Sequence, residues 1–218
     1  MALYQLSNIV QTYGERIVLS IDKLMLEAGT ITGIFGPNGS GKSTLMRMLA
    51  FLESPKSGTI LFNGKKATIA DTALRREVTL LTQQPYLLKR TVQENIEYGL
   101  RVRGRTTISG IAASALEEVG LSPQTFLSRN WFELSGGEAQ RVSLAARLAV
   151  KPRVLLMDEP TSSLDEESTE RIRNAALRTK TEHNTSLIIV SHDREWLNSI
   201  SDHTVLIRNG KIESTHSL

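Results

Sequence analysis

The chain has 218 residues, 40% of them hydrophobic and 22% charged, with a formal net charge of +3 and no cysteine. The composition is that of an ordinary globular domain long enough to bury a sizeable core. It excludes disulfides and thiolate metal sites. The basic residues are scattered, with no run and no aromatic interleaving, so no nucleic-acid footprint is expected. No stretch approaches the roughly 18 uninterrupted apolar residues of a membrane span, and Met1–Gln11 alternates polar and apolar residues, unlike a signal peptide.

In chain order, Tyr4–Thr12 and Arg16–Ile21 read as antiparallel strands around a turn at Tyr13-Gly14. The apolar run Thr30–Phe35 reads as a buried strand, and Ser43–Leu52, with Leu45, Met46, Met48 and Leu49 as its apolar positions, reads as a helix. Between them lies Gly36-Pro37-Asn38-Gly39-Ser40-Gly41-Lys42-Ser43, followed by Thr44. This matches the phosphate-cradling pattern G-x-x-x-x-G-K-[S/T] at every fixed position. Glycines let successive backbone N–H groups turn inward, and a helix N-terminus adds a positive dipole end. Lys42 supplies a full charge to the outer phosphates, and the Ser43 hydroxyl suits magnesium.

Ile60–Asn63 reads as a short strand closed at Gly64, and Val78–Leu81 as a strand in a sheet interior. From Thr91 to about Leu127 the pattern turns helical. Thr91 and Glu94 have capping-box spacing, Gly104 and Arg105 break the helix, and Ile111–Val119 resumes it. A further helix is expected over Ala139–Leu148, opened by Ser135-Gly136-Gly137-Glu138. Val154–Met157 and Leu187–Val190 are continuous apolar runs, as in parallel strands covered on both faces. Glu166–Lys180 is an amphipathic helix between them. Asn209-Gly210 joins Thr204–Ile207 to Lys211–Glu213 as a two-residue hairpin. The expected fold is α/β: a P-loop NTPase core with a mainly parallel sheet, an N-terminal antiparallel β subdomain and a helical insert subdomain. One domain is expected over 1–218, with core and β subdomain over 1–84 and 150–218 and the helical, signature-bearing insert over about 85–149.

Four further elements surround the phosphate loop. Asp158 ends an apolar strand, where it is placed to hold magnesium directly or through water, and Glu159 follows as a carboxylate able to polarise an attacking water. An acidic helix start at Asp-Glu-Pro is the structural alternative. Ser135, Gly136 and Gly137 open a helix, with two readings standing together: a capping box with Glu138, or a second helix N-terminus aimed at phosphate. His192 lies just past a buried strand, where ligands of parallel sheets bind, and could hydrogen-bond a γ-phosphate or water. Gln83, also just past a strand, could reach magnesium or water, or serve as a hinge.

In this order the elements resemble the ATP-binding cassette of ABC transporters over almost the whole chain. Leu134-Ser135-Gly136-Gly137 is similar to the family's signature, Gln83 to its Q-loop glutamine, Asp158 and Glu159 to its magnesium-site aspartate and catalytic glutamate, Ser162-Ser163-Leu164-Asp165 to its D-loop, and His192 to its switch histidine. Tyr13 falls where the family places an aromatic that stacks on adenine. The resemblance implies an ATPase using ATP and Mg2+, with Glu159, His192 and Gln83 in catalysis. Tyr13, Gly36–Thr44, Ser135–Gly137 and Asp165 would serve nucleotide, and Ser43, Gln83 and Asp158 the metal. It implies a head-to-tail homodimer of cassettes, with ATP on one phosphate loop covered by the signature of the other. Integral membrane permease subunits and a periplasmic or extracellular binding protein are the implied partners, placing the chain in the cytoplasm on the inner face of the membrane.

Glu138 departs from the family's frequent glutamine, and Phe51 stands where glycine is common and is expected to alter packing at the helix end. Pro85-Tyr86-Leu87-Leu88 is a candidate coupling contact, with insert core as its alternative reading. Leu49–Glu53 and the compact length are similar to cassettes of bacterial oxyanion importers, such as those for tungstate or molybdate. The competing class is a non-transport ABC ATPase acting on a soluble macromolecule; the single cassette and short insert favour transport.

Overall fold

The computed structural model describes residues 1–105, 109–162 and 164–217. They form two compact units, one of Met1–Leu80, Val154–Asp158 and Ser186–Leu218, the other of Leu81–Arg153 and Glu159–Thr185.

The first unit holds two sheets. Strands β1 (Ala2–Tyr13), β2 (Arg16–Glu27), β4 (Ser57–Phe62) and β5 (Lys65–Lys66) form an antiparallel sheet in the order β2-β1-β4-β5. β1 and β2 pair up to Tyr13↔Arg16, so the turn is Gly14-Glu15 and Tyr13 is the last strand residue. Both strands run longer than their alternation suggests. β5 and the short helix α2 (Thr72–Glu77) carry no buried residue, which is why no apolar pattern announced them.

The second sheet has six strands in the order β10-β9-β3-β8-β7-β6: β3 (Ile31–Phe35), β6 (Val78–Leu81), β7 (Val154–Asp158), β8 (Ser186–Val190), β9 (His203–Arg208) and β10 (Lys211–Ser217). The pairs β3–β8, β3–β9 and β7–β8 are parallel, whereas β9–β10 is an antiparallel hairpin. All five residues of β3 and of β8 are buried, as their unbroken apolar runs require. Lys211 pairs with Arg208, and Asn209 and Gly210 have φ of 51° and 76°, the two left-handed residues of a tight hairpin turn.

Helix α1 (Lys42–Leu49) packs on β7 and β2 and sinks Leu45, Met46, Met48 and Leu49 into the core. The helix stops earlier than its apolar spacing predicts. Leu52 N–H donates to Arg47 O at 2.9 Å and Phe51 N–H to Met48 O at 3.0 Å, with Phe51 at φ 55°. This C-terminal motif normally takes glycine, and the left-handed backbone costs a larger residue about 1 kcal/mol. Phe51 is offset by packing: it is 2% exposed, with ring centroids 5.5 Å from Phe62 and 6.0 Å from Tyr4. The Tyr4 hydroxyl donates to Leu49 O at 2.9 Å, satisfying a terminal carbonyl of the same helix.

The second unit is helical, with α3 (Val92–Val102), α4 (Ile111–Glu118), α5 (Pro123–Phe126), a 3₁₀ turn at Trp131–Glu133, α6 (Gly136–Leu148) and α7 (Glu166–His183). α6 is its centre and packs against α3, α4 and α7. Val142, Leu144, Ala145 and Leu148 of α6, with Ile96, Leu100, Leu116 and Ile172, are buried. Thr91 and Glu94 form the expected capping box on α3. Helix α8 (Arg194–Ile200) belongs to the first unit and packs on β3. Among the described residues no helix is long and apolar enough to cross a membrane.

Candidate active site

The phosphate loop joins the carboxyl end of β3 to α1, and its backbone is shaped by neighbours that leave no room for side chains. Gly41 is the N-cap of α1 at φ 100°, and a Cβ there would lie 2.5 Å from Leu19 Cδ2 and 2.8 Å from Val18 O. Only glycine adopts that conformation in that space. No side chain caps α1, so its first N–H groups are available to an anion. The Lys42 ammonium is buried and donates to Gly36 O at 2.8 Å and Pro37 O at 3.0 Å, curling the loop around itself. Pro37, Asn38 and Gly39 are exposed along the rim, as is Ser43, whereas Ser40 is 3% exposed and its Oγ has no hydrogen-bond partner among the described residues. A buried, unmatched hydroxyl beside a positive charge and uncapped helix amides fits a phosphate oxygen.

The loop is braced by the Asn209-Gly210 hairpin, whose contact with the phosphate loop has no local sequence signal. Gly210 N–H donates to Ser40 O at 3.1 Å, and Gly210 O accepts from Ser20 N–H at 2.7 Å. The β9–β10 hairpin is thereby tied both to β2 and to the phosphate loop.

His192 lies two residues past β8 and is exposed. Together with Gly36, Pro37, Phe35 and Arg194 it lines a cleft of 170 Å³. The structure therefore brings His192 to the mouth of the phosphate loop. Arg194 and Arg208 add positive charge to the same cleft, and the Arg194 guanidinium stands 4.4 Å from the Phe35 ring centroid. Neither arginine carried a sequence signal, because no local motif marks them.

Tyr13 is 47% exposed, and its hydroxyl is held. It donates to Glu53 Oε1 at 2.6 Å and accepts from Arg47 Nη2 at 2.7 Å, and it lies 3.5 Å from Thr44 Oγ1. Arg47 Nε donates to Glu53 Oε2 at 2.8 Å, and Gln11 Nε2 donates to Glu53 Oε1. Burial pushes the Glu53 carboxyl up, but the donors from Tyr13, Arg47 and Gln11 outweigh it and hold it below the usual carboxylate value. Burial likewise opposes the Arg47 charge, and Glu53 and Tyr13 hold the guanidinium above its ordinary value. The ring of Tyr13 is thus anchored by its polar end, leaving its face as a surface.

Asp158 closes β7 and is partly exposed. Glu159 follows directly, is 8% exposed and has φ 49°. Left-handed backbone at a non-glycine residue is a cost concentrated at functional sites. The next helix starts at Glu166, so Asp158-Glu159-Pro160 is not a helix start; Ser162 instead folds back, its N–H and Oγ donating to Glu159 O at 3.3 and 3.1 Å.

In the helical unit, Ser135 and Glu138 make both arms of the capping box. Glu138 N–H donates to Ser135 Oγ at 3.3 Å, and Ser135 N–H donates to Glu138 Oε2 at 2.8 Å. Arg129 Nη1 stands 3.5 Å from Glu138 Oε1. Glu138 is thus turned back on its own cap. Ser135 and Gly136 remain exposed, and the Ser135 hydroxyl, accepting from Glu138, keeps its own proton to donate. Gly137 packs closely on Ser168: a Cβ there would lie 2.8 Å from Ser168 Oγ, so a side chain would displace the hydroxyl that bonds Asp165. Asp165 caps α7, accepting from Ser168 N–H at 2.8 Å and Ser168 Oγ at 2.9 Å, and those bonds hold its carboxyl below its ordinary value. Ser163, in the segment matched to the D-loop, lies outside the described residues. Gln83 is exposed just past β6.

An apolar groove of 690 Å³ opens on the same unit between Pro85–Lys89 and the Trp131-Phe132 turn. Tyr86 is 83% and Phe132 68% exposed. Asn95 clamps Leu88 by both backbone groups, at 2.7 and 3.1 Å. The sequence pointed to one wall, Pro85–Leu88; the other, Trp131-Phe132, is joined to it only by pairing such as Trp131 N–H to Arg90 O at 3.1 Å.

A glycine cradle with a buried lysine, between a parallel strand and a helix, defines a nucleotide-binding protein of the P-loop class. The chain belongs to the ABC transporter family, whose model, described as "ABC transporter", matches residues 19–162. It is 35% identical over 208 residues to the tungstate uptake system ATP-binding protein TupC of Peptoclostridium acidaminophilum, covering 94% of each chain. It is 37% identical over 218 residues to the sulfate/thiosulfate import ATP-binding protein CysA of Bordetella pertussis, covering 98% of this chain and 61% of that one. The fold superposes with a TM-score of 0.86 on a dimeric post-hydrolysis state of the ATP-binding cassette MJ0796 bound to ADP and Pi, at 29% identity, covering 99% of this chain and 98% of that one. A second dimeric structure of MJ0796, a bacterial ABC transporter cassette, gives 0.89 at the same identity and coverage. The chain is an ABC ATP-binding subunit, and its reaction is ATP hydrolysis.

Proposed function

We propose that this cassette powers uptake of an oxyanion through a membrane permease, working as a head-to-tail pair with a second copy of itself. The observation that carries the motor half of this reading is the fit of the phosphate loop to a polyphosphate: uncapped α1 amides, the buried Lys42 ammonium and the Ser40 hydroxyl converge there. The uptake and import systems named for TupC and CysA support the import direction and the oxyanion class. They give no support to a non-transport alternative. The dimeric MJ0796 structures support pairing of two cassettes.

In this reading Gly36–Thr44 bind the phosphates and the face of Tyr13 carries adenine. The second cassette supplies Ser135, Gly136 and Gly137 to the γ-phosphate, with Asp165 beside them. Glu159 polarises the water that attacks γ-phosphorus, the bond to the β–γ bridging oxygen breaks, and ADP leaves with the electron pair. His192 donates to the γ-phosphate. Among the described residues no group of three His, Asp or Glu side chains could hold a metal alone. A donor set of one hydroxyl (Ser43), one carboxylate (Asp158) and one amide (Gln83) fits Mg2+, which keeps waters and takes phosphate oxygens. The ion would shield phosphate charge. The apolar groove at Tyr86 and Phe132 suits a permease helix, which would hold the cassette at the inner membrane face; a binding protein would deliver the substrate on the opposite side.

Glu159→Gln is expected to cut phosphate release at saturating ATP by about 100-fold or more, the range of a lost general base, and to leave an ATP-bound dimer detectable by gel filtration. Turnover that survived the substitution would remove Glu159 from its role. Co-purification with permease subunits, rather than with ribosomes or DNA, tests the transport assignment.

A further inference from the structure

One buried amide on α6 ties together the two segments that carry Gln83 and Glu159. Gln140 is 1% exposed, and its Nε2 donates to Thr82 O at 3.1 Å and to Pro160 O at 3.2 Å. Thr82 immediately precedes Gln83, and Pro160 immediately follows Glu159. A primary amide nitrogen has two protons, and both are used here. Chemistry fixes the orientation of the group, because the flipped amide would set its oxygen against two carbonyl oxygens. Its Oε1 is buried with no hydrogen-bond partner among the described residues. A methionine or leucine would fill this volume without burying an unmatched carbonyl. What the glutamine adds over either is the clamp on two backbone segments.

The clamp sits on the helix that begins with the signature. Ser135 is about one and a half helical turns before Gln140, and α6 runs unbroken from Gly136 to Leu148, with its buried residues starting at Gln140. A shift of the α6 N-terminus would reach both carbonyls through Gln140, because the helix is continuous and the amide bonds both segments. We propose that Gln140 is a positioning residue: when Ser135–Gly137 engage the nucleotide held by the second cassette, Gln140 transmits that engagement to the Gln83 and Glu159 segments of its own chain. Cooperativity between the two sites of the pair then depends on this amide. The inference rests on the composite-site reading given above.

The test is Gln140→Met in the full chain, with ATP hydrolysis measured over a range of ATP concentrations and binding of a fluorescent ATP analogue measured separately without magnesium. Nucleotide affinity is expected within twofold of the parent, kcat at least tenfold lower, and the Hill coefficient reduced to 1. Gln140→Glu adds a readout that a purely structural role would not move. Ionised, this carboxylate can donate to neither carbonyl; protonated, it donates to one. The kcat of the folded variant should therefore rise as pH falls, relative to the parent and to Gln140→Met. If Gln140→Met does not fold, Gln140→Asn decides, since its shorter amide reaches at most one of the two carbonyls and should also lower kcat. A parental kcat for Met or Asn, or a parental pH profile for Glu, overturns the coupling. With Glu159→Gln inactive, such a result overturns the coupling alone; with Glu159→Gln still turning over, the reading of the site falls, and the coupling with it.

Discussion

The N-termini of α1 and α6 are both flanked by glycine, and they are finished in opposite ways. At α1 the N-cap is Gly41, with no side-chain cap, so the first turn keeps its amides for a ligand. At α6 the N-cap is Ser135, and Ser135 and Glu138 each satisfy the other's backbone N–H. The first terminus, the phosphate site proposed above, has its own buried cation, Lys42. The second is structurally complete without any ligand, and what it offers outward is a hydroxyl proton and two glycine amides. On the proposed reading, the terminus that holds nucleotide in a single chain is left unsatisfied, and the one that meets nucleotide only on dimer closure is satisfied without it.

The largest effect expected on this comparison is at α1. Lys42→Ala removes both the charge toward phosphate and the bonds to Gly36 O and Pro37 O. A lost charged hydrogen bond of about 1.5–3 kcal/mol weakens ATP binding by roughly 10- to 150-fold, measured by equilibrium titration of the single chain. Affinity within twofold of the parent would mean that α1 is not the primary phosphate site. Ser135→Ala should separate the two termini. Loss of the cap costs about 1 kcal/mol, which for a chain of this size lowers Tm by about 2–4 °C. ATP affinity of the isolated chain should stay unchanged while kcat falls well beyond what the lost stability explains. A fall in Tm with kcat per folded protein intact would reduce the α6 terminus to a cap alone, and the contrast with α1 would be structural only.

What was legible in the sequence is what is local. The phosphate loop, the capping boxes of α3 and α6, the Asn209-Gly210 hairpin and the apolar runs of β3, β7 and β8 are each written within a few residues, and their backbone geometry follows from those residues. What was not legible depends on partners far along the chain. α1 stops at Leu49 rather than Leu52 because Phe51 turns left-handed, and it can do so because Tyr4 and Phe62 receive its ring. The strut from Gly210 to Ser40, the arrival of Arg194 at the His192 cleft, and the Gln140 clamp have no local signature at all. The readings left open for Ser135 were resolved on their structural side: the cap exists, and Glu138 is directed into it. Helix α7 sits in the helical unit rather than with the parallel strands it follows in the chain, a placement its amphipathic pattern does not encode.

The smallest expected effect concerns the far end of α1, where Tyr13 is anchored. The donors on Glu53 hold its carboxyl below the ordinary 4.5 despite the opposing effect of burial. A depressed folded-state value means that Glu53 contributes stability in full above the unfolded value of 4.5 and loses it as pH falls through the lower folded value. Glu53→Gln keeps the shape but removes the charge. It should cost about 1 kcal/mol at pH 7, the upper end for a pair this exposed, or about 2–4 °C in Tm. The gap between parent and variant should then close as pH is lowered below the folded value. A gap that stays constant with pH would mean that Glu53 holds Tyr13 by shape and neutral hydrogen bonding, and that the ring platform owes nothing to the Arg47–Glu53 charge pair.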